Sequence, residues 1–263
     1  MAIQTRPEHF GPYDLLRDLP SSPIGERFLA CHRATGGQHT LYRLPVCRDA
    51  HERRRLIDAV ERVGSLDHPH LTSVEAFSFD VEGHPWLATR FHGHHGGLLT
   101  LGELLDSRGG RLSPDEVGRV LDHLLTALAQ AHCKDVRQGP IRPNDVLVDR
   151  HGSLAIELLG LRSILEQHDP GEAADDVASC LALAQQTLTG RMRDDGVLSA
   201  SVLGAPALGQ FLTGGLDPAL GFTSADEAIA ALRRALDGAV EPQPRVKSVL
   251  RRLRPRAWQR GQA

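Results

Sequence analysis

The chain has no CxxC pair, no apolar stretch of 18 residues and no overall excess of one charge. Each absence excludes something. Four scattered cysteines, Cys31, Cys47, Cys133 and Cys180, suit a reducing compartment and fit neither a disulfide framework nor a zinc site, so they read as packing residues. Without a long apolar run there is no membrane-crossing helix to expect. The opening "MAIQTRPEHFGPYDLL" also lacks a basic region followed by an apolar one, so the expectation is a cytoplasmic protein that meets a membrane only peripherally. Lys and Arg number 30 against 33 Asp and Glu, which excludes a polyanion binder as the role of the whole chain.

What charge asymmetry there is lies at one end. "PQPRVKSVLRRLRPRAWQRGQA", residues 242–263, holds seven basic residues and no acid, so the remainder carries −10 against −3 overall. At 263 residues the chain can bury one large core or two smaller lobes. "RFLACHRATGGQHTLYRLPV" reads as a hairpin about its glycine turn. "DAHERRRLIDAVERVGSL" sets Leu56, Ala59, Val60 and Val63 at helical spacing, and the following "DHPH" stops that helix at proline. "LTSVEAFSFDV" and "PWLATRFH" add two strand-like runs to the hairpin's two, and the small lobe as a whole is expected to be a five-strand sheet carrying one helix.

After "GHHGG" the pattern turns helical. "LSPDEVGRVLDHLLTALAQAH" has Ser113 as N-cap, Pro114 at the first helical position and Glu116 two residues on, and Val117, Val120, Leu121, Leu124, Leu125 and Leu128 line one face. "DDVASCLALAQQTLTG" is apolar nearly all round and reads as a buried helix, and "SADEAIAALRRAL" as a capped amphipathic one. Between the first two lies "VLVDRHGSLAIELLG", two short apolar runs about a turn.

This order resembles the eukaryotic-like serine/threonine protein kinases over residues 13–236. "LTALAQAHCKDVRQGPIRPNDVLVDRHGSLAIELLGL" is similar, without a gap, to the family stretch from the long helix through the HRD catalytic loop to DFG. "DHPHL" resembles the HPN turn, "DDVASCLALAQQTLTG" the long buried helix of the large lobe, and "LDPALGFTSADEAIAAL" the closing segment. The resemblance implies an α+β, two-lobed protein kinase-like fold: a small β-rich lobe with one helix (13–92), a larger helical lobe with a shortened activation segment (93–237), and a basic tail (238–263).

The family's chemistry needs particular groups, and the alignment leaves most of them out. Pro20, Ser22 and Gly25 fall at the three glycines of the phosphate loop, and Arg27 at its valine. The nucleotide-binding lysine aligns with Arg43, its glutamate partner with Ala59, the gatekeeper with Thr89, and the start of the adenine-binding hinge with Arg90. Gln138, Gly139 and Pro140 stand for HRD, so the catalytic aspartate is Pro140; Arg142 stands for the loop lysine and Asp145 for the metal-binding asparagine. Leu158 and Leu159 replace the first two residues of DFG, leaving Gly160. Only 15 residues separate Gly160 from Asp176, APE is absent, and its arginine partner falls on Gly221.

What the resemblance retains is architectural: Pro69, His132, Arg142, Pro143, Gly160 and Asp176, the last being the aspartate that in the family holds the catalytic loop by its backbone. The expectation is therefore a degenerate member resembling a bacterial pseudokinase, a scaffold or allosteric partner of other signalling proteins, including an active kinase or a regulator. No cofactor is expected; Asp145 is the remaining candidate ligand for ATP-bound Mg²⁺. The alternative is an atypical ATP-dependent serine/threonine kinase using Arg43 and Asp145. A second alternative is an adaptor tethered by its tail to an anionic membrane through Val246, Val249, Leu250, Leu253 and Trp258, with nucleic acid the less favoured tether. His92, His94 and His95 read as linker rather than zinc ligands, and Arg53, Arg54 and Arg55 as a solvated helix face.

Overall fold

The computed structural model describes residues 9–93, 97–165, 169, 171–190 and 205–239. A six-stranded antiparallel sheet opens the chain: β1 (His9–Phe10), β2 (Tyr13–Ser22), β3 (Gly25–His32), β4 (Gln38–Arg43), β5 (Val74–Phe79) and β6 (Pro85–Arg90), in the order β1-β2-β3-β4-β6-β5. Six strands stand against the five expected; β1 has too few residues to show alternation and is pinned by pairing Phe10 with Tyr13. Phe10 then joins Tyr13, Phe28, Leu41 and Trp86 in an apolar cluster on the outer face of the sheet.

One helix, α1 (Ala50–Gly64), crosses between β4 and β5, started by Asp49, whose side chain accepts from the Glu52 N–H at 2.8 Å. Its Leu56, Ala59, Val60 and Val63 are the buried stripe, while Asp58 and Glu61 face solvent. Arg53 is not simply solvated: its guanidinium stacks 3.8 Å over the Phe79 ring.

The second lobe contains α2 (Leu101–Ser107), α3 (Pro114–Cys133), a 3-10 turn (Pro143–Asp145), the hairpin β7 (Val146–Val148) and β8 (Leu154–Ile156), then α4 (Leu161–Leu165), α5 (Ala173–Thr189), α6 (Pro206–Gly215) and α7 (Ala225–Ala239). Capping boxes start α2 (Thr100 with Glu103) and α3 (Ser113 with Glu116). α5 ends at Gly190, whose φ of 72° is the left-handed conformation that glycine accepts without strain. One apolar core joins α3, α5, α6 and α7 beneath the hairpin. Burial holds the Cys180 thiol inside it, pushed up to about 12, a packing residue. Two lobes of different composition, one β-rich and one helical, make an α+β fold.

The lobes are joined by more than the linker. The segment after α1 runs alongside β8: Ile156 N–H donates to the His70 carbonyl (2.9 Å), and Thr72 N–H to the Ile156 carbonyl (3.1 Å). The Thr72 hydroxyl in turn accepts from Leu158 N–H at 2.7 Å. Small-lobe backbone thereby extends the large-lobe hairpin.

Candidate interlobe site

Strand pairing decides which side chains face the cleft. Arg27 of β3 stands opposite Tyr42 of β4, Leu29 opposite Thr40, and Thr40 opposite Thr89 of β6. Alternation then directs Arg27, Leu29, Thr40, Tyr42 and Thr89 inward, and Leu41 and Arg43 outward. Arg43, which the resemblance aligns with the nucleotide-binding lysine, therefore faces away from the cleft, and the inward residue beside it is Tyr42. Arg43 stands opposite Trp86 on the outer face, where its Nη2 lies 2.6 Å from Glu82, 3.3 Å from Asp80 and 2.9 Å from His84 Nδ1. Asp80, Glu82 and His84 converge closely enough to suggest a metal, but the cation they surround is this guanidinium.

Tyr42 and Arg27 meet a third residue from the other lobe. Glu157, just after β8, accepts through Oε1 from Arg27 Nη1 (2.8 Å) and from the Tyr42 hydroxyl (2.7 Å). Arg27 also donates through Nε to the Pro20 carbonyl (2.5 Å) and through Nη2 to that of Ser21 (3.3 Å). Arg27 and Glu157 are each only 4% exposed and Tyr42 is wholly buried, so this ion pair lies inside the protein. Burial pushes the Glu157 carboxyl upward, against the pull of Arg27 and the Tyr42 hydrogen bond toward the ionised form. Burial and that carboxylate push the Tyr42 phenol well above its ordinary value, keeping it a donor.

Apolar side chains close the rest of the seam. Leu19 and Leu29 from the sheet pack on Leu98 and on Leu147 of β7, with Phe91 against them. Behind the triad, Tyr42, Leu56, Ala59, Leu158 and Leu161 share an apolar cluster, so no lysine–glutamate pair stands there. Leu158 is 1% exposed and takes φ 45°, a conformation uncommon for a branched residue.

The turn between β2 and β3 is two residues, Pro23 and Ile24, with Ile24 folded into the same cluster. Gly25 is required by contact, since a Cβ there would lie 2.3 Å from the Arg43 carbonyl. Thr89 is buried beside Tyr42, whereas Arg90 is exposed and reaches Glu75 across 3.5 Å, at the sheet edge rather than in the cleft.

The loop before β7 is organised around Asp176. Wholly buried on α5, it accepts from Gln138 N–H (2.9 Å) and Gly139 N–H (2.7 Å), and pairs with His132 Nε2 (2.8 Å). Gln138 links onward: its side-chain oxygen accepts from Gly160 N–H at 2.7 Å, and its carbonyl from the Ser163 hydroxyl at 2.8 Å. Gly160 sits at φ 78° with the Arg137 carbonyl 2.7 Å from where a Cβ would be. Pro140 and Arg142 are exposed, and Pro143 opens the 3-10 turn. Pro69 lies exposed in the turn after α1.

Asp145 is committed internally. One carboxylate oxygen accepts from Arg142 N–H (2.9 Å), and Arg162 of α4 approaches both oxygens at 3.4 Å. Burial pushes its carboxyl upward, opposed first by the Arg142 N–H and then by the charge of Arg162. A metal there would have to displace a guanidinium. His94, His95 and tail residues 240–263 lie outside the described residues, the first two tail positions ending α7, while His92 accompanies the Arg90 carbonyl at 3.1 Å.

No protein-family model matches the chain. It is 29% identical over 170 residues to the rice CBL-interacting protein kinase 1, covering 62% of this chain and 34% of that protein. To serine/threonine-protein kinase PrkC of Bacillus subtilis it is 24% identical over 112 residues (43% and 16%), and to PknH of Mycobacterium tuberculosis 27% over 146 (54% and 22%). The chain thus spans about a third or less of the curated relatives it matches. Among solved structures, the M. tuberculosis PknI kinase domain superposes with a TM-score of 0.70 at 21% identity, over 86% of this chain and 97% of that one.

Proposed function

Starting from a chain that has the protein-kinase-like fold, we propose that it is a pseudokinase, a domain that keeps the two-lobed frame and has given up phosphoryl transfer. The observation that carries this reading is the Arg27–Glu157–Tyr42 triad, which occupies the cleft face where phosphate contacts would be needed. Phosphoryl transfer is mostly positioning and charge stabilisation around a metal-bound nucleotide. Pro140 supplies no base, Leu158 no metal ligand, and Asp145 faces Arg162. An active kinase would require Glu157 and Asp145 to leave their arginines, exposing two buried charges.

On this reading the domain works by contact, as a scaffold or allosteric partner of other signalling proteins, an active kinase or a regulator among them. Attachment through the tail rests on residues outside those described. No helix among the described residues is long and apolar enough to cross a membrane.

A thermal melt with millimolar ATP and Mg²⁺ or Mn²⁺ tests the reading, and no shift is expected. Nucleotide at 100 times its Kd would add about 2.7 kcal/mol, roughly 5–10 °C for a protein of this size. A shift of that order, abolished by Asp145→Ala, would overturn the reading.

A further inference from the structure

A groove of about 430 Å³ lies between α2, α3 and the β7–β8 turn, away from the interlobe seam. Its lining is apolar at the base, where partly exposed Leu99 and Leu104 lie above buried Leu112, Val120 and Val148. Exposed Arg108, Arg119 and Arg150 stand around it.

Two carboxylates share the lining, and both are engaged within the fold. Glu116 caps α3, accepting from Ser113 N–H and the Ser113 hydroxyl at 2.9 Å each, and pairs with Arg108. Asp149 shapes the hairpin turn, accepting from the N–H groups of His151 and Ser153 at 2.8 Å each. Arg150 Nε donates to the His151 ring at 2.9 Å. Neither Arg119 nor Arg150 has a carboxylate ion-pair partner among the described residues, so with three arginines against Glu116 and Asp149 the lining carries a net positive charge around its apolar trough.

That combination selects its occupant. Guanidinium forks bind carboxylates bidentately, and an apolar base between them takes one or two aliphatic side chains. The chain's own 242–263 segment is excluded by charge, having seven cations and no acid. The Thr100 hydroxyl at the α2 cap donates to the Asn144 side-chain oxygen at 3.2 Å, tying α2 to the 3-10 turn. We propose that this groove docks a short acidic segment of a partner protein, one presenting leucine-like side chains flanked by carboxylates. This rests on the reading of a domain that works by contact and gives it a surface.

The test uses the full chain with methyl-labelled leucine and an acetylated peptide, Asp-Glu-Leu-Leu-Asp-Glu, followed by NMR. Saturable shifts of the Leu99 and Leu104 methyls are expected. The double variant Arg119→Glu/Arg150→Glu, exposed at both positions and expected to melt like the parent, should weaken binding about tenfold or more through loss of charge-assisted contacts. Binding should return when that variant meets Lys-Lys-Leu-Leu-Lys-Lys. Absence of saturable shifts overturns the proposal, as does equal binding of Asp-Glu-Ser-Ser-Asp-Glu or of a short oligothymidylate, which would mark a general anion surface. The outcomes separate from the nucleotide melt: a shift with ATP would end the pseudokinase reading with the groove still occupied, and a silent groove would leave the filled cleft untouched.

Discussion

Glu157 has a lone carboxylate in the apolar run "AIELLGL", a position that is tolerable only because Arg27 and Tyr42 reach it from the other lobe. Removing one partner of such a pair strands the other charge, so Glu157→Gln should destabilise the protein by roughly 3–5 kcal/mol in urea denaturation. Replacing the set together, Arg27→Leu with Glu157→Leu and Tyr42→Phe, should come close to parental stability, because the apolar trio leaves no buried charge. If Glu157→Gln is silent, the pair is not buried as described. Restoring the family's metal ligand should also fail: Leu158→Asp puts a carboxylate among Tyr42, Leu56 and Ala59, and a lowered melting temperature with no gain of Mg²⁺-ATP response is expected.

At the level of elements, the α5 aspartate and the turn after α1 are the features to test. Asp176→Ala leaves two buried loop N–H groups and His132 without their acceptor, a loss of several kcal/mol when each unsatisfied group costs about 1–3 kcal/mol. Hydrogen exchange should show the loop around Gln138 opening before α3 does. The turn after α1 brings His70 flat against His123, ring centroids 3.7 Å apart, with His68 alongside. Burial, then the charge of His70, lowers the affinity of His68 and His123 for a proton. The unfolded chain therefore binds protons more readily, and stability from these two groups is full above about pH 6.5 and falls as the pH drops below it. Melting temperatures between pH 7.5 and 5.5 check this, and replacing both residues by Gln should flatten that part of the profile.

Four of the helices, α1, α3, α5 and α7, and the retained Asp176 were legible in the sequence because their signals are local, whereas the short α2, α4 and α6 were not read. Ser113, Pro114 and Glu116 announce α3 within four residues, and the apolar stripe of α1 repeats at helical spacing. The triad had no such signature, its members being drawn from residues 27, 42 and 157. β4 also hid its own phase: Thr40, Leu41 and Tyr42 are all buried, one face toward the cleft and the other toward Trp86, so alternation could not say whether Tyr42 or Arg43 looked inward. The available clue was Glu157 itself, a charge in an apolar run that demands a partner.

Taken whole, the molecule couples its lobes through the Ile156–Thr72 backbone bonds, the leucine seam and the triad. Calorimetry should accordingly give one transition with equal calorimetric and van't Hoff enthalpies; two resolved transitions would show the lobes to be independent. The triad also bears on the order in which the chain is made. Arg27 precedes Glu157 by 130 residues, a delay of roughly 6–26 s at ribosomal rates of about 5–20 residues per second. Through that interval Arg27 lacks the carboxylate it pairs with in the finished fold, and the inner face of the sheet lacks the hairpin that covers it.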